Sequence, residues 1–101
     1  MGAMTSKPMK RIEMVLQQDV IGEIAKKLDT LGVSGYTIIQ DVLGRGERGL
    51  RAGIGLGVFK YYYLLITCED AQVEPIVEMV GPYLKRFGGI CLVSDALYVI
   101  H

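Results

Sequence analysis

Apolar and polar residues alternate through Met9–Gln17. Ile12, Met14 and Leu16 interleave with Glu13, Val15 and Gln17, and this period of two predicts a strand. The period then lengthens. Ile21, Ile24, Leu28 and Leu31 recur at spacings of three and four, the stripe of an amphipathic helix. Asp19 offers an N-cap oxygen and Gly32 a left-handed stop. Alternation returns over Gly35–Val42, with Tyr36, Ile38 and Gln40 opposite Thr37, Ile39 and Asp41. Tyr61–Cys68 is apolar on both faces, which predicts a central or doubly covered strand. A second helical stripe runs through Val73, Ile76, Val77, Val80, Leu84 and Phe87, with Asp70 as its cap and Gly88-Gly89 as its stop. Pro75 falls near the first turns, where a missing N–H costs least, whereas Pro82 predicts a kink or a break. Ile90–Ile100 reads as a last strand with a bulge at Ser94-Asp95.

The order β-α-β-β-α-β with two helices on one face of an antiparallel sheet predicts an α+β, ferredoxin-like sandwich with strand order 4-1-3-2. One domain spans residues 9–101 and carries a long loop at 44–60. Residues 1–8 are a tail, with Met1-Gly2-Ala3 read as a cloning remnant. The topology sets Cys68 and Cys91 on strands separated by the first strand. Two strand spacings of roughly 4.8 Å are too wide for a disulfide, so both are expected to be core thiols.

Composition narrows the function. Half of the 101 residues are hydrophobic and 22% are charged, which excludes disorder and hints at apolar surface buried on another chain. Eleven basic residues balance eleven acidic ones, without the basic excess usual in nucleic-acid binders. Tyr61-Tyr62-Tyr63 invites comparison with base-stacking platforms, but Arg11–Gln17 holds no aromatic and Leu56–Lys60 does not fit the third-strand motif. Two cysteines and one histidine, His101, cannot build a structural zinc site within one chain. No apolar run approaches the roughly 20 residues of a membrane span, and no signal peptide is visible, so a cytoplasmic protein is expected. No nucleophile, base and orienting group fall together, which argues against an enzyme.

Gly44–Lys60 carries the chemistry. It holds six glycines, at 44, 46, 49, 53, 55 and 57, with Arg45, Arg48 and Arg51 at every third position. Connections in compact domains are mostly about 4–6 residues, and longer ones tend to be functional or disordered. Glycine lets backbone N–H groups approach an anion closely, and arginine adds a bidentate fork. Gly44-Arg45-Gly46 followed by Arg48 therefore fits a phosphate cradle. It fits a flexible hairpin with solvated arginines equally well, and it matches neither the P-loop nor the dinucleotide fingerprint. The second half alternates glycine with Ile54, Leu56 and Val58 before Phe59. That is either a docking tip for a partner or a surface packed on a neighbouring copy.

Gly32-Val33-Ser34-Gly35-Tyr36-Thr37, the following Gly44-x-Gly46-x-Arg48 and the ending Gly88–Tyr98 resemble the PII signal-transduction superfamily. The likeness is greatest to PII-like proteins associated with bicarbonate uptake and carboxysomes. The resemblance implies a homotrimer that binds an adenine nucleotide in its subunit clefts. It also implies a T-loop that reports the ligand to a membrane inorganic-carbon transporter or an associated protein. By position, Gly35 and Thr37 fall at the strand entry, with Thr37 meeting adenine or ribose. Gly44, Arg45, Gly46 and Arg48 meet the phosphates, and Gly88 and Gly89 form a second glycine turn. Arg51, Ile54, Leu56, Val58 and Phe59 would face the partner. Three departures stand out: there is no Gly-Asp-Gly-Lys loop, no loop tyrosine before Phe59, and one extra residue between Thr37 and Gly44. They favour AMP or ADP over ATP with 2-oxoglutarate, with bicarbonate as a further ligand by analogy. The rival readings are a trimeric ferredoxin-like metal-tolerance protein using Cys68, Cys91 or His101, and a structural adaptor without a ligand.

Overall fold

The computed structural model describes residues 5–43 and 60–101. Gly44, Arg45, Gly46, Arg48, Arg51, Ile54, Leu56, Val58 and Phe59 lie outside these described residues. The elements run β1 (Ser6–Gln17), α1 (Gln18–Thr30), β2 (Tyr36–Val42), β3 (Tyr61–Cys68), α2 (Asp70–Phe87) and β4 (Ile90–Val99). The sheet order is β2-β3-β1-β4 with every pairing antiparallel, which is the expected 4-1-3-2 order read from the other edge.

Both helices cover one face. Ile12, Met14 and Leu16 from β1 and Leu64, Ile66 and Cys68 from β3 form the floor of the core. Val20, Ile24 and Leu28 from α1 and Ile76 and Val80 from α2 close it from above. The opposite face has no helix. There Ile39, Ile90 and Leu92 remain 51%, 46% and 58% exposed, on the same side as half-buried Val15, Tyr63 and Leu65. The two apolar faces read from β3 are thus unequal within one chain, one fully buried and one half-covered.

Several boundaries differ from the sequence expectation, each for a physical reason. β1 starts at Ser6 rather than Met9, because Ser6–Met9 pair with Ala96–Val99 of β4. Pro8 is tolerated there because β3 pairs with β1 only from Lys10 onward, so this end of β1 has a neighbour on one side alone. β1 runs directly into α1, so Gln17 rather than Asp19 is the N-cap, and it makes no side-chain cap bond. Asp19 lies in the first turn, where its charge complements the helix dipole. Gly32 does take the left-handed conformation, at φ 78°.

α2 is capped from Glu69, not Asp70. The Glu69 N–H donates to Gln72 Oε1 at 3.0 Å, the reciprocal half of a capping box. Pro82 lies on the exposed side of α2, and the helix continues through it to Phe87. No bulge forms at Ser94-Asp95. The register is continuous, and the two residues face Arg11 and Lys10. Arg11 Nε donates to Ser94 Oγ at 3.1 Å, and Lys10 pairs with Asp95. The irregularity instead falls in β2. Ile39 opposes Tyr63 but Val42 opposes Tyr61, so one residue is extruded, and Asp41 adopts φ 55°.

Candidate functional site

The C-terminal end of β1 organises one end of the sheet. Gln17, its last residue, pairs with Tyr61, the first residue of β3, and Tyr61 pairs with Val42, the last residue of β2. Both roots of the long loop therefore meet here. On the other flank Val15 pairs with Ile90, which directly follows Gly88-Gly89. The loop roots and the glycine turn thus share one end of the fold, joined through β1.

The glycine turn is tightly specified. Gly88 and Gly89 take φ 80° and 119°, conformations that side-chain-bearing residues rarely adopt. A Cβ on Gly89 would lie 2.5 Å from the Val15 carbonyl oxygen and 3.1 Å from Leu16 Cδ2. Only a bare backbone can pass so close to β1. The Gly88 N–H donates to Leu84 O at 2.8 Å and prolongs the helical ladder. Gly88 therefore acts by conformation and not as an anion donor. Lys85 and Arg86 occupy the last helical turn and oppose the negative end of the α2 dipole beside the turn. Their signal in the sequence is two basic residues two and three positions before a glycine stop.

Two contacts bind this end together. The Gln18 N–H donates to Lys60 O at 2.8 Å, fixing the C-terminal root of the loop to the start of α1. Gln17, only 9% exposed, donates from Nε2 to Phe87 O at 3.4 Å.

Gly35 and Thr37 lie elsewhere. Tyr36, next to Gly35, opposes Ile66, and Thr37 opposes Leu65, toward the other end of β2. Thr37 stands five positions before Val42 along the strand, a span of roughly 16 Å. Within one chain Gly88 and Gly89 come together with the loop roots, while Gly35 and Thr37 do not join them. Thr37 is exposed on the helix-free face.

That face carries a polar chain the sequence reading missed. Tyr63 Oη donates to Glu13 Oε2 at 2.6 Å, Arg11 Nε lies 3.4 Å from Glu13 Oε1, and Arg11 also holds Ser94. The hydrogen bond to Glu13, followed by burial, pushes the Tyr63 phenol above its ordinary range. Arg11 and Glu13 stand two apart on β1, so opposite charges at a period-two spacing are the available signal.

An open cleft of about 550 Å³ lies at the far end of the sheet, lined by residues that include Lys10, Glu69, Asp70, Asp95 and Leu97. Its three carboxylates outnumber its one ammonium, and the hydrogen bond that Lys10 donates to Asp95 raises the Lys10 pKa. Such a cleft repels phosphate, so it is not the anion site. The metal reading also lacks a geometric basis. Cys68 and Cys91 are both free, on strands that flank β1, and they oppose Lys10 and Met14 respectively. No group of three or more metal-ligating side chains forms among the described residues. Cys68 is buried, whereas Cys91, expected in the core, is only partly so.

Comparison with known proteins agrees with this fold. The family model for nitrogen regulatory protein P-II matches residues 9–100. A solved structure of CPII from Thiomonas intermedia K12, bound to ADP and bicarbonate, superposes with a TM-score of 0.84 at 26% identity, covering 97% of this chain and 95% of that one. CPII bound to ADP, AMP and bicarbonate gives 0.78 at 23% identity, with 92% and 97% covered. Its apo form gives 0.79 at 21% identity, with 98% and 100% covered. No curated protein sequence matches the chain.

Proposed function

Because this chain belongs to the nitrogen regulatory protein P-II family, we propose that it is a non-enzymatic signalling protein that binds an adenine nucleotide, AMP or ADP, and reports it through residues 44–60. The observation that carries the reading is the shared end of the fold: the Gly88-Gly89 turn and both loop roots converge on the last residues of β1. A relative 26% identical over nearly the whole chain holds ADP and bicarbonate. Bicarbonate is accordingly a candidate second ligand here.

In this reading Gly44, Arg45, Gly46 and Arg48 contact the phosphates, and Gly88 and Gly89 shape the adjoining wall. Thr37, with Gly35 at its strand entry, meets the base or ribose. Copies assemble as a homotrimer through the helix-free sheet face, whose exposed Ile39, Ile90 and Leu92 favour burial. The ligand clefts then lie between subunits. Arg51, Ile54, Leu56, Val58 and Phe59 face the partner, an inorganic-carbon transporter in the membrane or a protein attached to it. No helix among the described residues is long and apolar enough to cross a membrane, and the protein acts from the cytoplasmic side. Regulation is a population shift: ligand contacts favour one loop conformation, and the partner binds only one.

A thermal-shift panel of AMP, ADP and ATP, each with and without bicarbonate, tests this reading, since a ligand that binds only the folded state raises Tm by mass action. An upward shift with AMP or ADP that shrinks in Arg48→Ala supports it. Equal shifts in both proteins remove the phosphate assignment.

A further inference from the structure

We propose that Gln17 is a positioning residue that couples the Gly88-Gly89 turn to the C-terminal root of the long loop. The inference rests on the nucleotide reading above and goes beyond it by naming an internal link.

Gln17 is the one buried polar residue among the described residues. It stands at the junction of three elements, as the last residue of β1, the N-cap of α1 and the partner of Tyr61 in β3. The Ser, Thr, Asp or Asn preferred at an N-cap turns its side-chain oxygen back to the helix N–H groups. Gln17 does not. Its side chain instead spans to the carbonyl of Phe87, the last residue of α2, immediately before Gly88. One residue later in sequence, the Gln18 N–H holds Lys60 O. Gly89 abuts the same stretch of β1 through Val15 O and Leu16.

These contacts form a short, continuous path from Phe87 through the Gln17 side chain and the Gln17–Gln18 peptide to Lys60. A shift of the glycine turn moves the Phe87 carbonyl, and Gln17 must follow or lose its partner. A buried amide left unpaired is costly, so it follows. Its backbone then carries the Gln18 N–H and the Lys60 carbonyl with it. Occupancy at the turn is thereby felt at the loop root without any ligand contact to the root itself.

Hydrogen exchange at the Gln18 amide reads this link directly, because that amide closes the bond to Lys60. In the intact wild-type chain, saturating ADP or AMP is expected to slow Gln18 exchange at least about fivefold, the low end of ordinary coupling. In Gln17→Met, which keeps length and removes the donor, the nucleotide still binds but leaves Gln18 exchange unchanged. Linkage requires affinity to fall by no more than that same factor. Gln17→Glu, which faces the carbonyl with acceptors only, should behave alike, separating the lost donor from lost packing. Thermal unfolding of both variants establishes that they fold. Wild-type slowing in both variants overturns the coupling while leaving nucleotide binding intact. Abolished binding in a folded variant also overturns it, by placing Gln17 in the ligand site. A wild-type chain that binds no nucleotide removes the coupling together with the function it rests on.

Discussion

A Cβ on Gly89 would fall 2.5 Å from the carbonyl oxygen of Val15, with the Gly89 backbone at φ 119°. Alanine cannot occupy that position without moving β1 or the turn. Gly89→Ala is expected to destabilise the fold by about 1–3 kcal/mol from backbone strain, with the clash adding to it. Urea unfolding measures the loss. An unchanged midpoint would mean that the turn can relax away from β1, and the rigid wall argued for above would disappear.

The Tyr63–Glu13 bond ties stability to pH on the basic side. The hydrogen bond to Glu13 holds the Tyr63 phenol above its ordinary value. A group with a raised folded pKa contributes stability that is fully present below its unfolded pKa, about 10, and is lost as pH rises through the folded pKa. Tyr63→Phe should cost on the order of 0.5–1.5 kcal/mol at neutral pH, the usual worth of a hydrogen bond. The difference from wild type should narrow only above the ordinary phenol range. Urea midpoints across pH, with tyrosinate absorbance alongside, test this. A gap between the two proteins that closes near neutral pH contradicts it.

The thiols provide a third check. Burial first, then the charges of Glu69 and Asp70, push the Cys68 pKa up, and burial alone does so for Cys91. Their contribution is present below the free thiol value, about 8.5, and is lost as pH rises past the raised folded pKa. Cys68, 2% exposed, should alkylate at neutral pH at least about tenfold more slowly in the native chain than in urea, since the thiolate is the reactive form. Mild oxidant should close no intrachain disulfide. The sulfurs lie two strands apart and four residues out of register along β1, far beyond bridging distance.

Gln72 links the two helices. Its Oε1 accepts from the Glu69 N–H and its Nε2 donates to Gly32 O at 3.4 Å, so it caps α2 and reaches the left-handed end of α1. Gln72→Ala should cost about 1 kcal/mol, within the usual range for a lost cap. A thermal midpoint equal to wild type contradicts the capping role.

The parts of this fold that were legible in the sequence are those where one period dominates locally. Tyr61–Cys68 was read at its true bounds because its apolar run is bracketed by polar or glycine-rich sequence. Where two chemistries compete, pairing decided. Glu69 and Asp70 are equally plausible caps, and Gln72, three residues after Glu69, selects the first. Ser94-Asp95 looks like an interruption until Arg11 and Lys10 are found opposite. The bulge in β2 was not read from the sequence, which pointed to Ser94-Asp95 instead; its place at Gln40-Asp41 depends on register with β3. At the candidate site, the glycines announced a turn, whereas Gln17 gave no local signal. Its role comes from three elements meeting at one residue, and sequence spacing does not encode that.

The most direct test of the account is a calorimetric titration of the wild-type chain with AMP, ADP and ATP, repeated on Gly89→Ala. The account predicts saturable heat with AMP or ADP, and weaker binding in the variant. The absence of heat with any of the three nucleotides would contradict it.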